Sequence, residues 1–161
     1  MSVTSIEKDM DNLTITLVAD FEAPVESVWE LWADPRKLER WWGPPGYPAT
    51  FEKHDLSPGS EVSYYMTGPE GERFPGWWEI ISVNPPKELS FSDGFADEHG
   101  ARVPDMPVTI VHLDLTPQGD GTRMELRSVY DNAEDLEKIV EMGGMEGLRE
   151  AVGQMDDLLA V

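Results

Sequence analysis

A chain of 161 residues, 40% of them hydrophobic and none of them cysteine, is sized for one packed domain. It excludes a disulfide framework, a thiol nucleophile and a thiolate metal site. Its 32 acidic against 12 basic residues give a formal charge of −20, which repels nucleic-acid phosphates and anionic lipid.

That acidity reads first as a solubility device; a salty cytoplasm or a basic partner would also suit it. The opening MSVTSIEKDMDN lacks the apolar core of a signal peptide. No run approaches the roughly 18 apolar residues of a membrane span. A soluble cytoplasmic protein with no membrane insertion is the expectation.

Residues 1–11 read as a polar N-terminal extension. Leu13 to Phe21 alternates at period two, with Leu13, Ile15, Leu17 and Phe21 on the apolar face of a half-buried strand. Pro24 suits the first helical position, where its missing N–H costs nothing. Val25, Val28, Trp29 and Trp32 then recur at helical spacing. Asp34-Pro35 ends that helix and restarts the chain, because the residue before proline avoids the α region. Leu38, Trp41 and Trp42 follow. Two short tryptophan-rich helices between strands suit a lid over a cavity, with Gly43-Pro44-Pro45 as a surface turn.

Residues 49–55 and 61–67 read as strands around Ser57-Pro58-Gly59. Residues 73–83 and 87–92 read as a hairpin around Asn84-Pro85-Pro86. The segment 93–107 is polar and irregular and predicts a mobile loop. Residues 108–116 and 122–130 make a last hairpin. Seven strands joined this closely imply an antiparallel meander. From Ala133 to Leu159 the pattern is helical, with Asp131 or Asn132 as N-cap. Gly143, Gly147 and Ala151 lie on one face, leaving room for a strand or for a ligand. Gly143-Gly144 is a natural break or kink.

The chain carries no glycine-rich nucleotide fingerprint and no His-Glu-x-x-His zinc motif. His54, His99 and His112 lie on different segments, and His112 alternates with Val111 and Leu113, so it points away from their face. Asp93, Asp97, Glu98, His99 and Asp105 lack the spacing of a calcium loop and read as a solvated acidic loop. Spacing shows no nucleophile–base pair, so catalytic residues stay unassigned; Glu79, Asp93 and Tyr64 are the nearest acids for a pocket. What remains is aromatic and thioether. By strand parity Tyr64 shares a face with Val62 and Met66, and Met124 with Leu126 and Tyr130. Each of these residues taken singly suits a core as well as a pocket.

Three stretches together resemble the START-like, or SRPBCC, helix-grip superfamily. The nearer likeness is to its branch related to the activator of the ninety-kDa heat-shock-protein ATPase, in its stand-alone bacterial form. The first is Ala23-Pro24, Val28-Trp29, Trp32, Asp34-Pro35, Leu38 and Trp41-Trp42-Gly43-Pro44. The second runs from Gly76-Trp77-Trp78-Glu79 through Pro85-Pro86 to Phe91-Ser92. The third is Gly144-Met145 with Gly147, before Asp157-Leu158-Leu159. They span Phe21 to about Ala160.

The resemblance implies a single α+β domain over 1–161. A curved antiparallel sheet of six to seven strands would surround one long C-terminal helix, with two short helices between the first two strands. It also implies a pocket between that helix and the sheet. Adaptable methionines and anchoring tyrosine hydroxyls suit such a pocket. The expected lining is Trp32, Trp41, Trp42, Tyr64, Met66, Trp78, Phe91, Met124, Tyr130, Met142 and Met145, with Phe51 among the aromatics nearby. The function so implied is the holding of an apolar or amphipathic small molecule, lipid included, without cofactor or metal. A co-chaperone-like interaction module, a pocket enzyme such as a cyclase or hydrolase, and a homodimer are the alternatives that the resemblance leaves open.

Overall fold

The computed structural model describes residues 2–159. Eight strands form one antiparallel sheet: β1 (Val3–Asp9), β2 (Thr14–Phe21), β3 (Ala49–Lys53), β4 (Glu61–Thr67), β5 (Arg73–Asn84), β6 (Glu88–Phe95), β7 (Thr109–Gln118) and β8 (Gly121–Val129). Their order is β1-β2-β8-β7-β6-β5-β4-β3, so β3 to β8 form a meander and β2 returns beside β8. Two short helices, α1 (Val25–Ala33) and α2 (Pro35–Leu38), lie between β2 and β3. Three helices close the chain: α3 (Ala133–Glu141), α4 (Gly144–Gly153) and α5 (Met155–Leu159). This is the α+β helix-grip architecture that the sequence implies, with one strand more than expected.

The extra strand is β1, which lies within the stretch that composition assigns to a polar extension. Only Val3 and Ile6 are half-buried along it. It is an edge strand held by backbone pairing to β2, and its charged Glu7, Lys8 and Asp9 suit an edge that must not recruit another chain. A strand with so little side-chain burial has no period-two signature.

Asp34 performs both of the tasks that the sequence gives it. Its N–H donates to the Glu30 carbonyl at 2.9 Å and closes α1. Its carboxylate accepts from the Arg36 N–H at 2.9 Å and caps α2, with Pro35 in the first turn. The helix pair buries Val28, Trp32, Leu38 and Trp41 completely. Trp32 and Trp41 meet edge to face at 4.7 Å, and Trp78 stacks on Phe91 at 4.1 Å beneath them.

The C-terminal helix is three helices. Gly143 takes a left-handed φ of 82° and separates α3 from α4, a conformation that glycine adopts without penalty. Asn132 is the N-cap of α3, accepting from the Asp135 N–H at 2.8 Å. The segment 93–107 is also more regular than expected: β6 runs on to Phe95, and Ala96 bridges Arg102. The Asp97 carboxylate then accepts from the N–H groups of His99 and Ala101 and orders the turn.

The restart at Met155 places Asp156 and Asp157 in the first turn of α5, where carboxylates favour the macrodipole. Asp156 also accepts from the backbone N–H and hydroxyl of Ser2, tying the chain start to α5. Glu134, Glu137, Glu141, Glu146 and Glu150 stay exposed on α3 and α4. Among the described residues no ion pair reaches Lys138 or Arg149. The mutual repulsion of these glutamates predicts a melting temperature that climbs with sodium chloride, as the screening length falls from about 10 Å at 0.1 M to about 3 Å at 1 M. Melts across that range check it; a flat or falling trend would mean that the charges are compensated.

Candidate functional site

Between α4 and the inner face of the sheet lies a cavity of about 630 Å³. It exists because the chain leaves α3 at Gly143 and re-enters α4 with small residues facing the strands. Gly143, Gly147 and Ala151 all line it, and a Cβ on Gly147 would meet nothing within 4 Å. Trp32 and Trp42 of the helix pair form one wall, and Tyr64, Met66 and Phe95 come from the sheet. Tyr47, Phe74 and Met142 line it while exposed to solvent, which marks the mouth. The Gln154 side chain, at the end of α4, donates to the Gly43 carbonyl at 2.7 Å and pins the Trp-Trp-Gly-Pro turn beside that mouth.

The polar groups of the cavity are few. Tyr64 donates its hydroxyl proton to the Asp93 carboxylate at 2.8 Å. The two sit on β4 and β6, with β5 between them. Tyr64 pairs with Gly76 in the β4–β5 register, and any Cβ there would overlap the phenol ring. Gly76 is therefore what lets the ring cross β5 to reach Asp93. Thr109, Ser128 and Tyr130 add hydroxyls to the same lining.

Burial pushes the Asp93 carboxyl up to about 7, against a lowering by the Tyr64 hydrogen bond. Burial, with the Asp93 charge behind it, pushes the Tyr64 phenol well above its ordinary value. Burial likewise raises Tyr130. Among the described residues none accepts from the buried indole N–H groups of Trp32, Trp42 and Trp78. Trp41 differs, donating to the Leu31 carbonyl at 2.8 Å.

Of the residues expected to line the pocket, the structure brings together Trp32, Trp42, Tyr64, Met66, Tyr130 and Met142. Trp41, Trp78, Phe91 and Met124 are completely buried and form the core behind them. Met145 packs instead with the small cluster of Ile15, Tyr130 and Leu136. Phe51 stacks on Tyr64 at 5.1 Å from the core side. Glu79 points outward to Arg102, whose Nη2 lies 3.5 Å from its carboxylate, so it is no pocket acid. Trp77 is on the outer face too, under the Arg102 guanidinium.

Asp93, grouped by composition with the acidic loop and also named among the nearest pocket acids, lies in the cavity wall beside Tyr64. Phe91, Asp93 and Phe95 alternate at period two, and extending β6 through them would have turned Asp93 inward. His112 faces away from Val111 and Leu113 as expected, and pairs with the Ser90 hydroxyl at 2.8 Å. Among the described residues no group of acids and histidines forms a metal site, and no helix is long and apolar enough to cross a membrane. A hollow of about 720 Å³ lies at Ser2, Thr4, Asp20 and Asp156, at the β1 edge of the sheet. Polar side chains of the chain start, β1, β2 and α5 line most of it.

A helix-grip sheet with a largely apolar cavity under its C-terminal helices defines a class, and the sequence places the chain within it. Residues 22–160 match the family described as activator of Hsp90 ATPase homolog 1-like protein, and the chain belongs to that family. A protein from Arthrobacter aurescens, solved in solution, is 47% identical with a TM-score of 0.95, over 99% of this chain and 92% of that one. Protein Ms6760 from Mycobacterium smegmatis is 46% identical with a TM-score of 0.91, over 98% and 96% of the two chains. A Staphylococcus epidermidis protein at 21% identity keeps the fold, with a TM-score of 0.84 over 98% and 94%. The comparison with curated proteins found no match.

Proposed function

We propose that this protein holds an amphipathic small molecule in the cavity between α4 and the sheet. The observation that carries the reading is the cavity itself: about 630 Å³, mostly apolar, with polar groups gathered around Tyr64 and Asp93. Volumes of this order suit small-molecule sites. Burial of a ligand tail is worth about 0.8 kcal/mol per CH₂, against about 0.5–1.5 kcal/mol for one hydrogen bond. The tail therefore supplies the affinity and the polar groups set the orientation. The family's description ties its namesake to the ATPase of Hsp90, but for this chain a chaperone partner rests on membership alone.

Gly147→Leu tests the reading. The new side chain enters open space and gains up to about 1 kcal/mol of helix propensity. The variant should melt at or above the wild-type temperature while its calorimetric affinity for octanol drops at least tenfold, by about 1.4 kcal/mol or more. Unchanged affinity in a folded Gly147→Leu protein would place the ligand elsewhere.

A further inference from the structure

Among the described residues the cavity wall holds one carboxylic acid, Asp93, and no lysine, arginine or histidine. Asp93 Oδ1 accepts from the Tyr64 hydroxyl at 2.8 Å, and no other described side chain or backbone N–H donates to this carboxylate. A carboxylate part-buried in a mostly apolar wall, with a single neutral donor, has unused capacity to accept from a ligand. The titratable groups near it are Tyr64 from β4 and Tyr130, which follows β8; neither is a cation. Trp78, its register partner on β5, and Thr109, its partner on β7, bring no charge.

The surroundings favour a cation. Trp42 and Tyr64 lie 6.0 Å apart, centroid to centroid, in the same wall, and aromatic rings beside a carboxylate attract ammonium groups. The chain's charge of −20 concentrates cations and repels anions at long range. The indole N–H groups of Trp32 and Trp42 in the same lining have no hydrogen-bond partner among the described residues. They are neutral donors that any hydroxyl or ether oxygen on a ligand would satisfy, and they carry no positive charge that calls for an anion.

We propose that the molecule held in this cavity is an amphipathic amine, its protonated nitrogen seated on the Asp93 carboxylate beside the rings of Trp42 and Tyr64 and its tail running under α4. The inference rests on the cavity being the binding site. An alkylamine stays protonated from pH 5 to 9, as a lysine does. Asp93, pushed up to about 7 by burial, changes charge within that range. Amine affinity therefore rises with pH and levels off once Asp93 is ionised.

The test is calorimetric titration of the protein with octylamine, octanol and octanoate, which share one tail. At pH 8 octylamine should bind at least about tenfold tighter than octanol, the margin expected of a charge-assisted contact. From pH 7 down to pH 5 its affinity should fall by up to about tenfold per unit, as Asp93 takes up its proton. In Asp93→Asn the amine should bind no better than the alcohol. Octanol or octanoate binding as tightly as octylamine at pH 8, or an amine affinity flat from pH 5 to 8, would overturn the amine and leave the cavity reading standing. Failure of all three to bind would overturn both. The wild-type pH series decides the matter even without the variant.

Discussion

Trp41→Ala should lower the free energy of unfolding by about 3–5 kcal/mol, the range for truncating a fully buried tryptophan. Trp42→Ala should cost clearly less. The two neighbours differ in placement. Trp41 is 0% exposed, packed on Trp32, and its N–H reaches the Leu31 carbonyl at 2.8 Å. Trp42 is only part-buried, lines the cavity, and leaves its N–H without a partner among the described residues. Its loss enlarges a space that already exists. Urea denaturation of both variants, with slopes compared to the wild type, separates the two. Equal, near-zero effects would mean that the helix pair is a surface loop.

Asp93→Asn should stabilise the free protein at pH 8, by about 2–4 kcal/mol, and leave it almost unchanged at pH 4. The sign follows from linkage. The folded protein holds the Asp93 proton more tightly than the unfolded chain, its carboxyl being raised from 3.8 to about 7 by burial. Below the unfolded value the group is neutral in both states and costs nothing. Between about pH 4 and pH 7 the unfolded chain gives up its proton first, so stability falls by about 1.4 kcal/mol per unit. Above the folded value the full penalty stands. Asparagine has no charge to bury and can still accept from the Tyr64 hydroxyl. The upper figure is the whole shift; the lower applies if cavity water screens the carboxylate. Wild-type and variant melts at pH 4, 6 and 8 should diverge only at the higher values. A variant less stable than wild type at pH 8 would show that an ionised Asp93 helps to hold the fold.

The helix pair was legible because proline and Asp-Pro punctuate it and its tryptophans recur at helical spacing. The hairpins were legible because glycine and proline mark their turns. β1 was not, since an edge strand whose only half-buried residues are Val3 and Ile6 leaves no alternation to find. The residues of the inner face were legible by parity, but their depth was not. Tyr64 and Phe91 both point inward, yet one lines the cavity and the other is sealed in the core. What separates them is where α4 lies over the sheet. That depends on the left-handed turn at Gly143 and on the small side chains after it, and no strand pattern records either. Asp93 was legible as a candidate pocket acid, but its acidic neighbours put it in a loop, although its parity with Phe91 turns it inward on β6.

The central claim is that the cavity under α4 is where a ligand sits, and methionine methyl groups can report on it directly. Met66 and Met142 line that cavity. Met155 is fully buried and precedes Asp156 of the polar hollow at the β1 edge. In a titration of methyl-labelled protein with octanol, followed by NMR, the Met66 and Met142 signals should move together and saturate, with Met155 still. Saturation without movement at Met66 and Met142, or movement led by Met155, would contradict the account.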